Sequence, residues 1–488
     1  MLGRFSSVFK RTVFSGVAIL GMALLLVLLN SCGEDQLTEG ELNDEDISYA
    51  VQSELVIDNS VPADEINVDV EQGVVILSGT VDNLLAKKRA LELTETVRGV
   101  RSVVNDIQVV PTDVSDDEIT RNVKTALLRD PVTDSYEIEV GVEDGAVSLN
   151  GEVESWQEKE LASKVTMSVR GIKEIKNEIL VDYKEERIDA EIKEDVESRL
   201  ANDPWVDEYL IDVSVNNGNV KLEGTVGSVA ERRYAMSDSW VVGTNTVDAE
   251  DLEVEAWAKE GLKRSDRYYP ESDEEIKAAV IDAFYYDPRV AAFDIDVTVE
   301  NGVATLSGTV DNLQAKMSAE QDAQNTLGVW DVENNIKVEP LKIPSDSELK
   351  QRVREALRRD PYVRFFDLNL RTESGIVYLS GDVNTKFEKE QAEHVAWKTK
   401  GVIEVINNIE YEQAATDKSD AELKEDVRDQ LYWSPFVNHN DVRVSVENGI
   451  VELTGEVYFR SEKEAAEENA YEAGAKDVIN NIEAQTLY

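Results

Sequence analysis

Cysteine occurs once and histidine twice in 488 residues, and these absences exclude much of the chemistry that a chain of this length could carry. One thiol closes no internal disulfide, so the fold must rest on core packing. His394 and His439 have no serine, cysteine or second histidine at a spacing that defines a nucleophile or a zinc motif, so surface histidine is the reading for both and no catalytic centre is expected. Positive charge is scarce as well: 50 Lys and Arg stand against 100 Asp and Glu, a net charge of -50. That charge repels DNA, RNA and anionic membrane at long range and favours cations or basic partners, so nucleic acid is excluded as a partner. Acidic clusters such as Asp44, Glu45 and Asp46 lack the loop glycine and ligand spacing of an EF-hand, and weak cation condensation is expected in place of a metal site. No cofactor is called for. Because 42% of the residues are hydrophobic and locally periodic, the acidity belongs to folded units and not to a disordered tail.

The longest apolar run is at the N-terminus. Arg4, Lys10 and Arg11 precede an uncharged segment from Thr12 to Ser31, and Leu29-Asn30-Ser31 leads into Cys32. A basic region, an apolar region and a small residue before cysteine resemble a bacterial lipoprotein signal, with Cys32 as the lipidated first residue of the mature chain. The other reading is a signal anchor, since the run is just long enough to span a bilayer. Residues 1–31 are expected to be the signal peptide and 32–42 an acidic tether.

Repetition organises the remainder. Turns at Gly73, Gly145, Gly218, Gly302, Gly375 and Gly449 are each followed by Leu four residues on, Gly six on and Val eight on, with steps of 72, 73, 84, 73 and 74 residues. Period-two apolar runs on both sides of each turn, as in Ile295, Val297, Val299 and then Ala304, Leu306, predict a β-hairpin with one buried face. Ahead of each hairpin, apolar residues at i, i+4 and i+8, such as Ile119, Val123 and Leu127, predict an amphipathic helix. Ser115, Ser272, Ser345 and Ser419 begin Ser-x-x-Glu capping boxes. Pro131, Pro204, Pro288, Pro361 and Pro435 end five of these helices. A second helix with a small residue (Ala90, Ala162, Ala319, Ala392, Ala465; Tyr234 in the third copy) ends at Gly99, Gly171, Gly243, Gly328, Gly401 or Gly474, and a last strand follows. The order α-β-β-α-β predicts an α+β array: six units, each a three-stranded mixed sheet with both helices on one face. The glycine pairs carry no P-loop lysine, so they have turn and packing roles.

The hairpin Gly-x-Val-x-Leu-x-Gly-x-Val and the terminal Gly-Val-x-x-Val-x-Asn-x-Ile, seen at Gly401 to Ile409, resemble the BON domain, named for bacterial osmotically inducible periplasmic and nodulation proteins. The units are placed at 43–110, 115–183, 187–257, 272–340, 345–413 and 419–487, with a linker at 258–271. The resemblance implies an envelope protein that associates with phospholipid surfaces and is not an enzyme. One region breaks the acidic pattern. Residues 345–413 hold 11 Lys and Arg against 13 Asp and Glu, and Arg358, Arg359, Tyr362, Arg364, Phe365 and Phe366 mix cations with aromatics as docking to an anionic headgroup layer requires. The alternative is that the aromatics are core, the arginines are solvated, and the patch pairs with an acidic neighbour in the array. Lys87, Lys88 and Arg89, and Lys263, Arg264 and Arg267 with Tyr268 and Tyr269, are weaker candidates. The expected protein is a lipid-anchored array at the outer membrane. It would touch phospholipid through its anchor and its fifth unit and support envelope integrity or the response to osmotic stress. The alternative function is a structural or adhesive stalk that binds other envelope proteins.

Overall fold

The computed structural model describes residues 42–112, 114–255, 258, 272–411 and 418–484. Cys32 and the cations and tyrosines of the 258–271 linker lie outside the described residues. The folded array is the compact unit Asn43–Tyr488.

Each of the six units begins with a 14-residue helix: Asp44–Ile57, Asp116–Arg129, Asp189–Asn202, Asp273–Tyr286, Asp346–Arg359 and Asp420–Trp433. Their i, i+4, i+8 stripes are buried as the spacing predicts; Ile119, Val123 and Leu127 are at most 6% exposed. The second helices are Leu84–Glu95, Trp156–Met167, Val229–Asp238, Leu313–Gln324, Lys386–Trp397 and Arg460–Glu472. The outgoing hairpin strand lies at the centre of each sheet. In unit 4, Val303–Val310 pairs antiparallel with Ile295–Glu300 and parallel with Asp331–Val338, so Leu306 sits between Val297 and Asn334. The six Leu at this position are fully buried.

Both central turn residues have positive φ, 51 to 55° for the first and 73 to 89° for the glycine, which is the type I′ geometry that twists with the strands. Gln72 and Ser374 adopt it without the usual Asn or Asp, because a carboxylate braces the turn from outside. The first residue of the first helix, always Asp, accepts backbone N–H bonds from the turn: Asp44 from Gln72 and Gly73 at 2.8 and 2.9 Å, Asp273 from Asn301 and Gly302 at 3.0 and 3.1 Å. The second glycine of the motif exists for close approach. A Cβ on Gly224 would lie 2.0 Å from the Leu210 carbonyl oxygen.

Unit 3 departs from the pattern in the residue that ties its last strand to the second helix. In the other five units an asparagine of the last strand (105, 177, 334, 407, 480) donates its side-chain amide to a second-helix carbonyl, at 2.8 Å from Asn177 to Lys159. Ala249 stands there in unit 3, and its last strand is divided into Thr246–Asp248 and Leu252–Val254; the last strand of unit 2 is also divided, into Glu174–Asn177 and Leu180–Val181, with its asparagine bond in place. The capping boxes also divide. Ser272 and Ser419 make both reciprocal bonds. At Ser115 and Ser345 only the serine half forms, and Glu118 and Glu348 pair with Arg170 and Arg352 instead.

The units do not run in line. Unit 1 bonds to unit 6, unit 2 to unit 5 and unit 3 to unit 4, by one repeated device: the residue before the terminal glycine of one unit donates its backbone N–H to the carbonyl that ends the first helix of another. Arg170 donates to Arg359 and Lys400 to Arg129, both at 3.0 Å, so units 2 and 5 exchange equivalent bonds. Arg98 donates to Trp433 at 3.0 Å and Leu327 to Asn202 at 2.9 Å. These are again equivalent if unit 1 corresponds to 4 and unit 6 to 3. Units 1–2–3 and 4–5–6 are thus two halves related by an approximate two-fold, the self-complementary pattern of an isologous dimer. Side chains repeat it: Trp156 stacks on Trp240 between units 2 and 3 at 5.1 Å, and the matching Lys386 lies over Tyr471 between units 5 and 6 at 4.5 Å. The equivalent residues Trp205 and Phe436 meet edge to face at 4.7 Å.

Candidate functional site

The fifth-unit cations and aromatics do not form one surface. Arg358 is exposed on the last helical turn. Phe365 is 67% exposed, with the Arg364 guanidinium 3.6 Å above its ring. Arg364 also donates from Nη2 to Thr112 Oγ1 at 3.3 Å, reaching across to the first half. The other three turn inward. Arg359 is half-buried, and its carbonyl receives the unit 2 bond described above. Tyr362 packs edge-on against Phe387 at 4.9 Å and bonds Ser60 of unit 1, and burial pushes its phenol up. Phe366 packs on the unit 5 core. Sequence reasoning passed over Leu128, which is 62% exposed beside Arg129 at the same junction. Its only signal was an apolar residue off the buried stripe.

The weaker candidates are occupied within their own unit: Lys87 on the Ile107 carbonyl, Lys88 on Glu92 and Arg89 on Asp58. His394 packs against Trp397, and burial pushes its imidazole down. Among the described residues no group of three or more His, Cys, Asp or Glu is disposed to hold a metal ion, and no helix is long and apolar enough to cross a membrane.

Three junctions between the halves are the features that no single unit contains. At units 2 and 5 both backbone bonds form. At units 3 and 4, and at units 6 and 1, only one forms; the Ala473 N–H that would complete the latter goes to Asn469 instead. A cavity sits at each half-made junction, of about 280 Å³ beside units 3 and 4 and about 360 Å³ beside units 6 and 1. They are lined at equivalent places, Arg199 and Asp238 in the first matching Gln430 and Asn469 in the second.

The BON domain profile matches residues 43–111, 115–183, 188–254, 272–340, 345–413 and 419–486. The chain belongs to the BON family. Osmotically-inducible protein Y of Escherichia coli K12 is 30% identical over 145 residues, 28% of this chain and 72% of that protein. Outer membrane lipoprotein DolP of Haemophilus influenzae is 31% identical over 144 residues, 28% and 74% of the two chains. Each match has about the length of two BON units.

Both cavities between BON units are acidic. Six acids and three bases line the first, five acids and two bases the second. In the first, burial raises Asp238 against the pull of Arg199, its partner at 3.0 Å, and burial together with Asp287 raises Asp322 well above the carboxylate range. In the second, burial lifts Glu54 to about 7, while burial and the neighbouring Glu54 and Glu468 lift Glu472 to about 8. Glu54 and Glu472 thus hold protons near neutral pH, because ionising them in a desolvated, like-charged setting is unfavourable. The chemistry available is proton uptake and release at a domain junction.

Proposed function

We propose that this chain is a non-catalytic envelope lipoprotein whose six BON units, held as one folded-back body, associate with a phospholipid surface and support the envelope under osmotic stress. The observation that carries the reading is Cys32 directly after the apolar run, in a chain of BON units whose relatives are named as an outer membrane lipoprotein and an osmotically inducible protein. Lipidation at Cys32 would hold the body at a membrane. Beside it, Arg358, Arg364, Phe365 and Leu128 supply cationic and apolar contact, each cation near an anionic surface contributing roughly 1 kcal/mol. The protein-binding stalk is less favoured, since bonds from unit 1 to unit 6 oppose six units in line.

Cys32→Ala should release the protein from the membrane fraction or block maturation; a variant that stays membrane-bound beside an unprocessed wild type would make the segment a spanning anchor. For the body itself, residues 43–488 should co-sediment with phosphatidylglycerol vesicles and not with phosphatidylcholine, less so as salt rises. Changing Arg358 and Arg364 to Gln and Phe365 to Ser should weaken that binding. Retention indifferent to lipid charge, salt and these changes would move the weight to protein partners.

A further inference from the structure

Among the described residues, five arginines have a buried Nε that finds no protein acceptor: 129, 170, 187, 352 and 364. Four of them meet at the junction of units 2 and 5. The bonds that close this junction bring them together, since Arg170 donates its backbone N–H to the Arg359 carbonyl and Lys400 donates to that of Arg129. Arg352 donates from Nη1 to the Lys400 carbonyl at 3.2 Å. Glu118, Glu348 and Asp134 neutralise Arg170, Arg352 and Lys400. Arg129 and Arg359 occupy equivalent positions about the two-fold, and no ion pair is formed by either among the described residues. Burial and the charge of Arg129 push the Arg359 guanidinium down against the pull of Glu355, and burial and Arg170 do the same to Arg364. In a chain with twice as many acids as bases, four arginines with a buried, unpaired Nε gather at one seam.

We infer that this seam is an oxyanion site, taking one phosphate-type dianion between Arg129 and Arg359, with Arg170 and Arg352 beside them. A guanidinium presents a planar fork of N–H donors that matches two oxygens of a tetrahedral anion. A tetrahedral anion has two-fold axes of its own, so it can accept one fork from each half. The charge it brings relieves like-charge repulsion that a low-dielectric setting strengthens. The shared chemistry is a phosphate dianion, either free or as the monoester headgroup of a lipid, and the site stands independently of the membrane contact proposed above.

The test uses the full chain in nonionic detergent, with inorganic phosphate titrated against chloride at constant ionic strength. Wild type should bind about one phosphate per chain and melt at a higher temperature as phosphate rises, by linkage of binding to the folded state. The Arg129→Gln, Arg359→Gln double variant should keep or raise its melting temperature in chloride, because the repulsion is gone, and should bind phosphate about tenfold or more weakly. The variant in chloride also shows whether the substitutions merely unfold the chain. If wild type melts alike in phosphate and chloride, or if the double variant keeps the full phosphate shift, the site does not exist. If the double variant loses stability in chloride and neither protein responds to phosphate, the arginines are structural and the proposal fails. Vesicles containing phosphatidic acid that compete with free phosphate would assign the site to a lipid headgroup. Competition absent, with phosphate binding intact, assigns it to the free ion.

Discussion

The junction between units 2 and 5 and the two junctions flanking it are made with the same backbone device, yet they differ in charge and completeness. The central one exchanges two bonds and gathers arginines; the outer ones make a single bond each and surround cavities lined by surplus acid. The difference shows how one repeated fold can form unlike contacts without altering its core. The residues that end the first helix and precede the terminal glycine supply main-chain atoms, so any side chain can occupy them. Arg129 and Arg170 make one junction basic; Asp203 and Asp238 help make another acidic. All three are closed by backbone bonds, but the junction of units 6 and 1 also has carboxyls raised to near neutral pH beside it.

A core deletion should separate the junctions most strongly. Leu379→Ala, at a fully buried position of unit 5, should cost about 2–5 kcal/mol. In hydrogen exchange, protection should fall at the Arg170 amide of unit 2 but not at Arg98, whose partner is in unit 6; equal loss at both would mean that the halves unfold as one. Next in size, Gly401→Ala places a Cβ 2.7 Å from Pro344 Cδ at a φ of +100° and should cost about 1–3 kcal/mol. It should expose the Lys400 amide, which closes the central junction. A change of that size without exposure of Lys400 would detach the glycine from the junction.

The outer junction of units 6 and 1 should respond to pH. Glu54 and Glu472 titrate near 7 and 8 when folded, above the value near 4.3 of an unfolded glutamate. The unfolded chain therefore loses these protons first, and stability falls as pH rises from about 5 to about 8. The Arg98 amide should exchange faster over that range, after correction for intrinsic rates, and Glu54→Gln with Glu472→Gln should flatten the response. The amides of Arg170 and Lys400 serve as the unresponsive comparison. The smallest effect should be indifferent to junction: Asp273→Asn removes the carboxylate that braces the turn through Asn301 and Gly302 and should cost about 1 kcal/mol. Asp44→Asn should match it, measured by denaturant unfolding of the two variants.

Within each unit, the sequence was enough. A fully buried Leu, a glycine forced by close approach and an i, i+4, i+8 stripe are dictated by burial and backbone sterics acting over a few residues, so hairpin, helices and sheet order were legible in all six copies. The bracing Asp was present in the pattern, 28 residues before each turn, but without a known partner it reads as a helix-start preference. The break in the last strand was less legible, since it occurs both in unit 2, which keeps the asparagine bond, and in unit 3, which lacks it. The fate of the fifth-unit patch was not legible at all. Arg359, Tyr362 and Phe366 turn inward, while Arg358 and Phe365 stay at the surface, because each side chain's surroundings include residues from other units. Ser60 and Arg129 are hundreds of residues away in sequence. Local periodicity reports what a residue shows to its own core; only tertiary packing decides which unit covers the opposite face, and with it where the arginines are crowded and where the carboxyls keep their protons.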